Sequence, residues 1–250
     1  MAKRNARAKA RDREFDADGT PKVHQLFPQG AAWSPLEKDQ RDRGYVRNVR
    51  PCGDNQRMLL EAIDRHNLVC ALGPAGTGKT YLAIAKAVEA LEDGRIGRIL
   101  LSRPAVEAGE NLGFLPGDLE DKLAPYLRPL YDALSERLGA KRLKALIGDG
   151  SIEIAPVAYM RGRTLNNAFI VIDEAQNCTY GQLKMLLTRL GWHSTMVLTG
   201  DPDQTDLLPG MSGFADVAGK LAKVEDVAVI QFTQTDIVRH PLVASMLDVL

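Results

Sequence analysis

The chain has 250 residues, of which 45% are hydrophobic and 26% charged, and its 32 Lys/Arg balance its 32 Asp/Glu. That composition excludes a disordered or fibrous protein, and no run approaches the roughly 18 apolar residues of a membrane span. Three cysteines, Cys52, Cys70 and Cys178, show no CxxC spacing, and the N-terminus lacks the apolar core of a secretory signal, so a reducing cytoplasm is the expected location.

The even balance hides an asymmetry. Residues 1–50 hold 12 Lys/Arg against 7 Asp/Glu, so the remainder carries a matching acidic excess. The basic surplus gathers at the start, where Lys3, Arg4, Arg7, Lys9, Arg11 and Arg13 face only Asp12. Such a tail finds phosphate backbones by charge, or serves as a plain solubilising extension. No sustained apolar period runs before Arg50, and Pro21, Pro28, Gly30, Pro35 and Gly44 interrupt it, so 1–50 reads as tail and linker and 51–250 as the folded domain.

From Pro51 the pattern alternates. Short apolar runs predict buried strands at Leu68–Leu72, Arg98–Ser102, Ile152–Val157, Phe169–Asp173, Thr195–Gly200 and Val227–Phe232. Helical spacing appears at Tyr81–Leu91, through Leu82, Ala85, Val88 and Leu91, and at Gln182–Leu190, through Leu183, Leu186, Leu187 and Leu190. Strands apolar on both faces and separated by helices predict an α/β fold, a mainly parallel sheet with helices on both faces.

The strongest local signal is Gly73-Pro74-Ala75-Gly76-Thr77-Gly78-Lys79-Thr80, a GxxxxGK[ST] phosphate loop placed after a strand and before a helix. Its glycines let backbone N–H groups curl around phosphates, Lys79 neutralises the terminal phosphate, and the Thr80 hydroxyl is a Mg²⁺ ligand. Gln56, seventeen residues before Gly73, can read an adenine edge through paired amide hydrogen bonds. ATP and Mg²⁺ are the cofactors this predicts.

A metal-holding carboxylate must complete the site, and the apolar strand ending Ile172-Asp173-Glu174-Ala175-Gln176 supplies Asp173. Glu174 is then the candidate general base for water. The next strand ends Thr199-Gly200-Asp201-Pro202-Asp203-Gln204, and Gln204 is a candidate sensor of the terminal phosphate. Ligands gather at such carboxyl strand ends in parallel sheets.

DEAQ at Asp173–Gln176 and GDxxQ at Gly200–Gln204, behind a phosphate loop, resemble the first motor domain of superfamily 1 helicases. Closer still is the PhoH family of ATPases. It is resembled by NQR at Asn55–Arg57, GPAGTGKTYLA at Gly73–Ala83, SRPAVEAGENLGFLPGDL at Ser102–Leu119, PYLRPLYDAL at Pro125–Leu134, IEIAPVAYMRGRTLN at Ile152–Asn166 and VRHPLV at Val238–Val243. The resemblance covers about Pro51 to Leu250. It implies a RecA-like P-loop NTPase tied in name to phosphate starvation and linked to RNA metabolism. Asp206–Gly213 is shorter and less basic than the family pattern, and the leader before Pro51 has no match in it.

A lone motor domain lacks the second domain that supplies an arginine finger, so assembly into a ring is the economical solution, and the resemblance points to a homohexamer. Arg239 is the first candidate for a finger acting on a neighbour, with Arg161 and Arg163 as alternates. Arg103 stands where helicases place a nucleic-acid contact, at a strand end facing away from the nucleotide base. The glycine-rich 108–118 loop behind it, with Phe114, is a candidate surface for single-stranded RNA. The sequence therefore predicts an RNA-stimulated or helicase-like ATPase, with an ATP-dependent adaptor that recruits or regulates a ribonuclease as the alternative. A membrane role is not expected.

Overall fold

A computed structural model of the chain describes residues 49–104 and 119–238. Every apolar run becomes a strand within one residue of its expected ends: β1 Leu68–Leu72, β2 Arg98–Arg103, β3 Ile152–Pro156, β4 Ala168–Ile172, β5 Thr195–Gly200 and β6 Val227–Gln231. All six pair in parallel, in the order β3-β2-β4-β5-β1-β6. Side chains alternate between two cores. On β1, Val69 and Ala71 join one cluster while Leu68, Cys70 and Leu72 join the other, so a strand buried on both faces needs no polar residue.

Helices cover both faces. The first cluster is closed by α1 Asp54–Arg65, α2 Lys79–Glu92, α3 Leu119–Leu138 and α4 Ala140–Gly148, through Leu59, Leu82, Leu130 and Leu143 among others. The second is closed by α5 Tyr180–Leu187 and α6 Phe214–Leu221, through Leu183 and Val217. This is the RecA-like α/β arrangement. Burial pushes the Cys70 and Cys178 thiols up to about 12, so both act as small apolar core groups at neutral pH.

The α2 helix begins two residues earlier than its apolar spacing, at Lys79, because the phosphate loop itself forms its first turn. Ala83, Ala85, Ala87 and Ala90 are buried along it, and their small size lets the helix approach the sheet closely. Lys86 on α2 meets Asp64 of α1 at 2.7 Å, which ties α1, the carrier of Gln56, to the helix behind the phosphate loop. A capping box of Thr179 and Gln182 starts α5 at Tyr180, and the helix stops at Leu187, short of the expected Leu190.

The α3 helix runs through Pro125 and Pro129, residues that normally end a helix. Both sit on its exposed side, while Leu127, Leu130, Leu134 and Leu138 are buried. No helix among the described residues is long and apolar enough to cross a membrane.

Candidate functional site

Parallel pairing brings every strand's carboxyl end to one rim, and the strand order decides which ends are neighbours. There β5 lies between β1, which feeds the phosphate loop, and β4, which carries Asp173 at its end. The loop turns through Gly76 at φ 81° and Gly78 at φ 82°, left-handed conformations that glycine adopts without strain.

Gly73 is constrained more tightly, because a Cβ there would lie 2.3 Å from the Phe232 carbonyl oxygen and its φ is 131°. Gly73→Ala is therefore expected to cost about 3 kcal/mol of stability. A thermal midpoint within a degree of wild type would show that the backbone after β6 gives way instead.

Lys79 folds back into the loop, its Nζ donating to the Gly73 carbonyl at 2.6 Å, the Pro74 carbonyl at 2.7 Å and Thr77 Oγ1 at 3.2 Å. Burial pushes its ammonium below the ordinary lysine value, against the pull of Asp201, Glu174 and Asp173. The α2 N-terminus has no capping side chain and no acid in its first turn, so its N–H groups are left to an anion.

Three oxygens converge beside it. Thr80 Oγ1 donates to Asp173 Oδ1 at 2.5 Å, Thr199 Oγ1 donates to the same oxygen at 2.9 Å, and the two hydroxyls are 3.2 Å apart. These are hard donors of the kind Mg²⁺ takes, and Mg²⁺ needs only one or two carboxylates beside phosphate and water. Among the described residues, no three His, Cys, Asp or Glu gather into a cage that would hold a metal alone. The donor set fits an ion that arrives with a phosphate ligand.

Glu174 follows in the left-handed conformation, φ 53°, uncommon for a residue with a long side chain and a feature of functional turns. One carboxylate oxygen accepts from Gln176 Nε2 and the other lies 3.4 Å from Arg103 Nη2. Gln176 is 2% exposed and binds on to the Gln204 carbonyl and the Asp201 amide, each at 3.1 Å, so it fastens the β4 turn to the β5 turn. A cavity of about 280 Å³ opens here, lined by the phosphate loop, Tyr81, Asp173, Glu174, Asp201 and Gln204.

The structure thus gathers Lys79, Thr80, Asp173, Glu174 and Gln204 at one cavity. Gln56 is buried behind the loop, donating to the Thr77 carbonyl at 3.0 Å and accepting from the Cys52 amide at 2.8 Å. Arg163 forms a two-pronged pair with Glu153 at 2.6 and 2.7 Å, the ordinary ion pair that competes with a finger role, whereas Arg161 is exposed. Arg239, the 108–118 loop with Phe114, and residues 1–48 lie outside the described residues.

Arg103 ends β2, at the strand end expected, and its guanidinium lies by the two acids, 3.8 Å from Asp173 and 3.4 Å from Glu174. The register explains this. Ser102 pairs with Ile172, so the next residue on each strand, Arg103 and Asp173, stand side by side at the rim. Gln176 is the functional residue that residue-by-residue reading missed; its signal was its place in the DEAQ quartet.

A family model described as PhoH-like protein matches residues 48–250. A PhoH-like protein of Bacillus subtilis is 55% identical over 216 residues, 86% of this chain and 68% of the relative. Protein PhoH of Escherichia coli is 44% identical over 212 residues, 83% of this chain and 58% of the relative. The PhoH-like protein of Mycobacterium tuberculosis is 53% identical over 203 residues, and the chain spans 58% of its length. Among solved structures, the large terminase of a thermophilic bacteriophage aligns over 80% of this chain and 50% of its own, at 11% identity and a TM-score of 0.47.

Proposed function

The chain belongs to the PhoH family and has the P-loop ATPase fold, and from that premise we propose that it is a Mg²⁺-dependent ATP hydrolase coupled to RNA metabolism and working as an oligomeric ring. The observation that carries the hydrolase reading is the meeting of Thr80, Thr199 and Asp173 on one carboxylate oxygen, with Glu174 one residue on at the same cavity. A metal residue followed directly by a second acid suits attack by water better than transfer to a second substrate.

In this reading the loop from Gly73 to Thr80 cradles the phosphates with its N–H groups, and Lys79 leaves the loop carbonyls to neutralise the terminal phosphate. Thr80 and Asp173 would hold Mg²⁺, which would supply positive charge against the negative charge that builds on the transferring group. Glu174 takes the proton of the attacking water, and Gln204 positions that water or senses the phosphate. Gln56, tied to Thr77, couples the adenine to the loop. Arg239 of a neighbouring copy supplies the finger, a contribution of about 10³ to 10⁵ in rate, and a closed hexamer gives each site one. The basic residues between Lys3 and Arg13 support an RNA partner.

The test is steady-state ATP hydrolysis with Mg²⁺, with and without single-stranded RNA, over a range of protein concentrations. Turnover per chain should rise with RNA and with concentration as rings form. A slow rate indifferent to both would replace this reading with the adaptor, an ATP-timed switch that recruits a ribonuclease.

A further inference from the structure

Two arginines beside the sheet pair with glutamates in different ways. Arg163 grips Glu153 through two short bonds, 2.6 and 2.7 Å, the fork geometry of a fixed ion pair. Arg103 instead divides itself between Asp173 at 3.8 Å and Glu174 at 3.4 Å, with its side chain 24% exposed. Long, divided and partly wet contacts are weak and exchangeable. The setting adds a reason for exchange. Asp173, Glu174 and Asp201 line one cavity, and among the described residues Lys79 and Arg103 are cations placed against them. An ion of charge +2 on Asp173 would stand close to the guanidinium, and like charges at such range repel.

We propose that Arg103 is a positioning residue that tethers Glu174, holding its carboxylate toward β2 until metal and nucleotide load the site and drive the guanidinium away. This rests on the hydrolase reading and adds a restraint to it. With Oε1 facing Arg103 and Oε2 bound to Gln176, the carboxylate is turned onto protein donors, whereas a general base must offer a lone pair to water. Gln176 holds its side of the grip through Gln204 and Asp201, so the guanidinium is the loose half.

An exchangeable pair of this strength holds turnover down by a few-fold. Arg103→Ala should therefore raise basal kcat about two- to five-fold with KM for ATP unchanged, and Arg103→Lys, which keeps the cation, should return it toward wild type. In a Glu174→Gln background Arg103→Ala should change nothing, because the tethered group is gone. A second readout needs no turnover: in nucleotide-free protein, the thermal-midpoint shifts of Arg103→Ala and Glu174→Gln should fall short of additivity. A fall in kcat for Arg103→Ala, or additive midpoint shifts, overturns the tether while leaving the hydrolase reading intact. Wild-type turnover by Glu174→Gln alone removes Glu174 from the role of base, and the tether with it, whereas no detectable ATP turnover by the wild-type protein overturns the hydrolase reading.

Discussion

Glu174→Gln is expected to lower ATP turnover by about 10²- to 10⁴-fold, the usual worth of a positioned general base, while leaving nucleotide affinity within a few-fold. The amide keeps the size of the side chain and an oxygen for Gln176 Nε2, so the turn at φ 53° and the tie between β4 and β5 survive. What disappears is a group able to take a proton. Phosphate release at saturating ATP measures the first quantity, and titration with a fluorescent nucleotide the second. Turnover near wild type with intact binding would remove Glu174 from the role of base; loss of binding would show that it holds the site together instead.

Lys79→Ala should weaken nucleotide binding by about 10²-fold or more, because hydrogen bonds from a charged donor are worth more than neutral ones. The loss has two parts. The terminal phosphate is deprived of its cation, and the carbonyls of Gly73 and Pro74 lose the donor that braces them. A nucleotide titration reads the first and a thermal melt without nucleotide reads the second, so a collapsed loop can be told from a missing charge. Unchanged affinity and turnover would refute the phosphate-loop assignment.

Local signals carried the reading where chemistry and chain neighbours coincide. The strands were legible because β1, β4 and β5 are apolar on both faces, leaving short uninterrupted runs. The phosphate loop was legible because all its functional atoms lie within eight consecutive residues. The α3 helix was not singled out: it runs through Pro125 and Pro129, residues that normally end a helix, and both lie on its exposed side. Arg103 was legible at its strand end, but its contacts with Asp173 and Glu174 were not. Its direction depends on the register of β2 against β4, a pairing across roughly seventy residues of chain.

By itself the sequence determined the alternation of strands and helices, the phosphate loop and the acids that end β4, because each depends on periodicity or on consecutive residues. Only the tertiary structure decided that β5 lies between β1 and β4, which brings Thr199 to Thr80 and Asp173. It also decided that Gln176 clasps the β5 turn and that Arg103 faces Glu174. Those contacts join residues from 25 to 119 positions apart, and their partners are set by which strands share an edge and in what register. That choice is made by the packing of both cores at once, and no local stretch of residues encodes it.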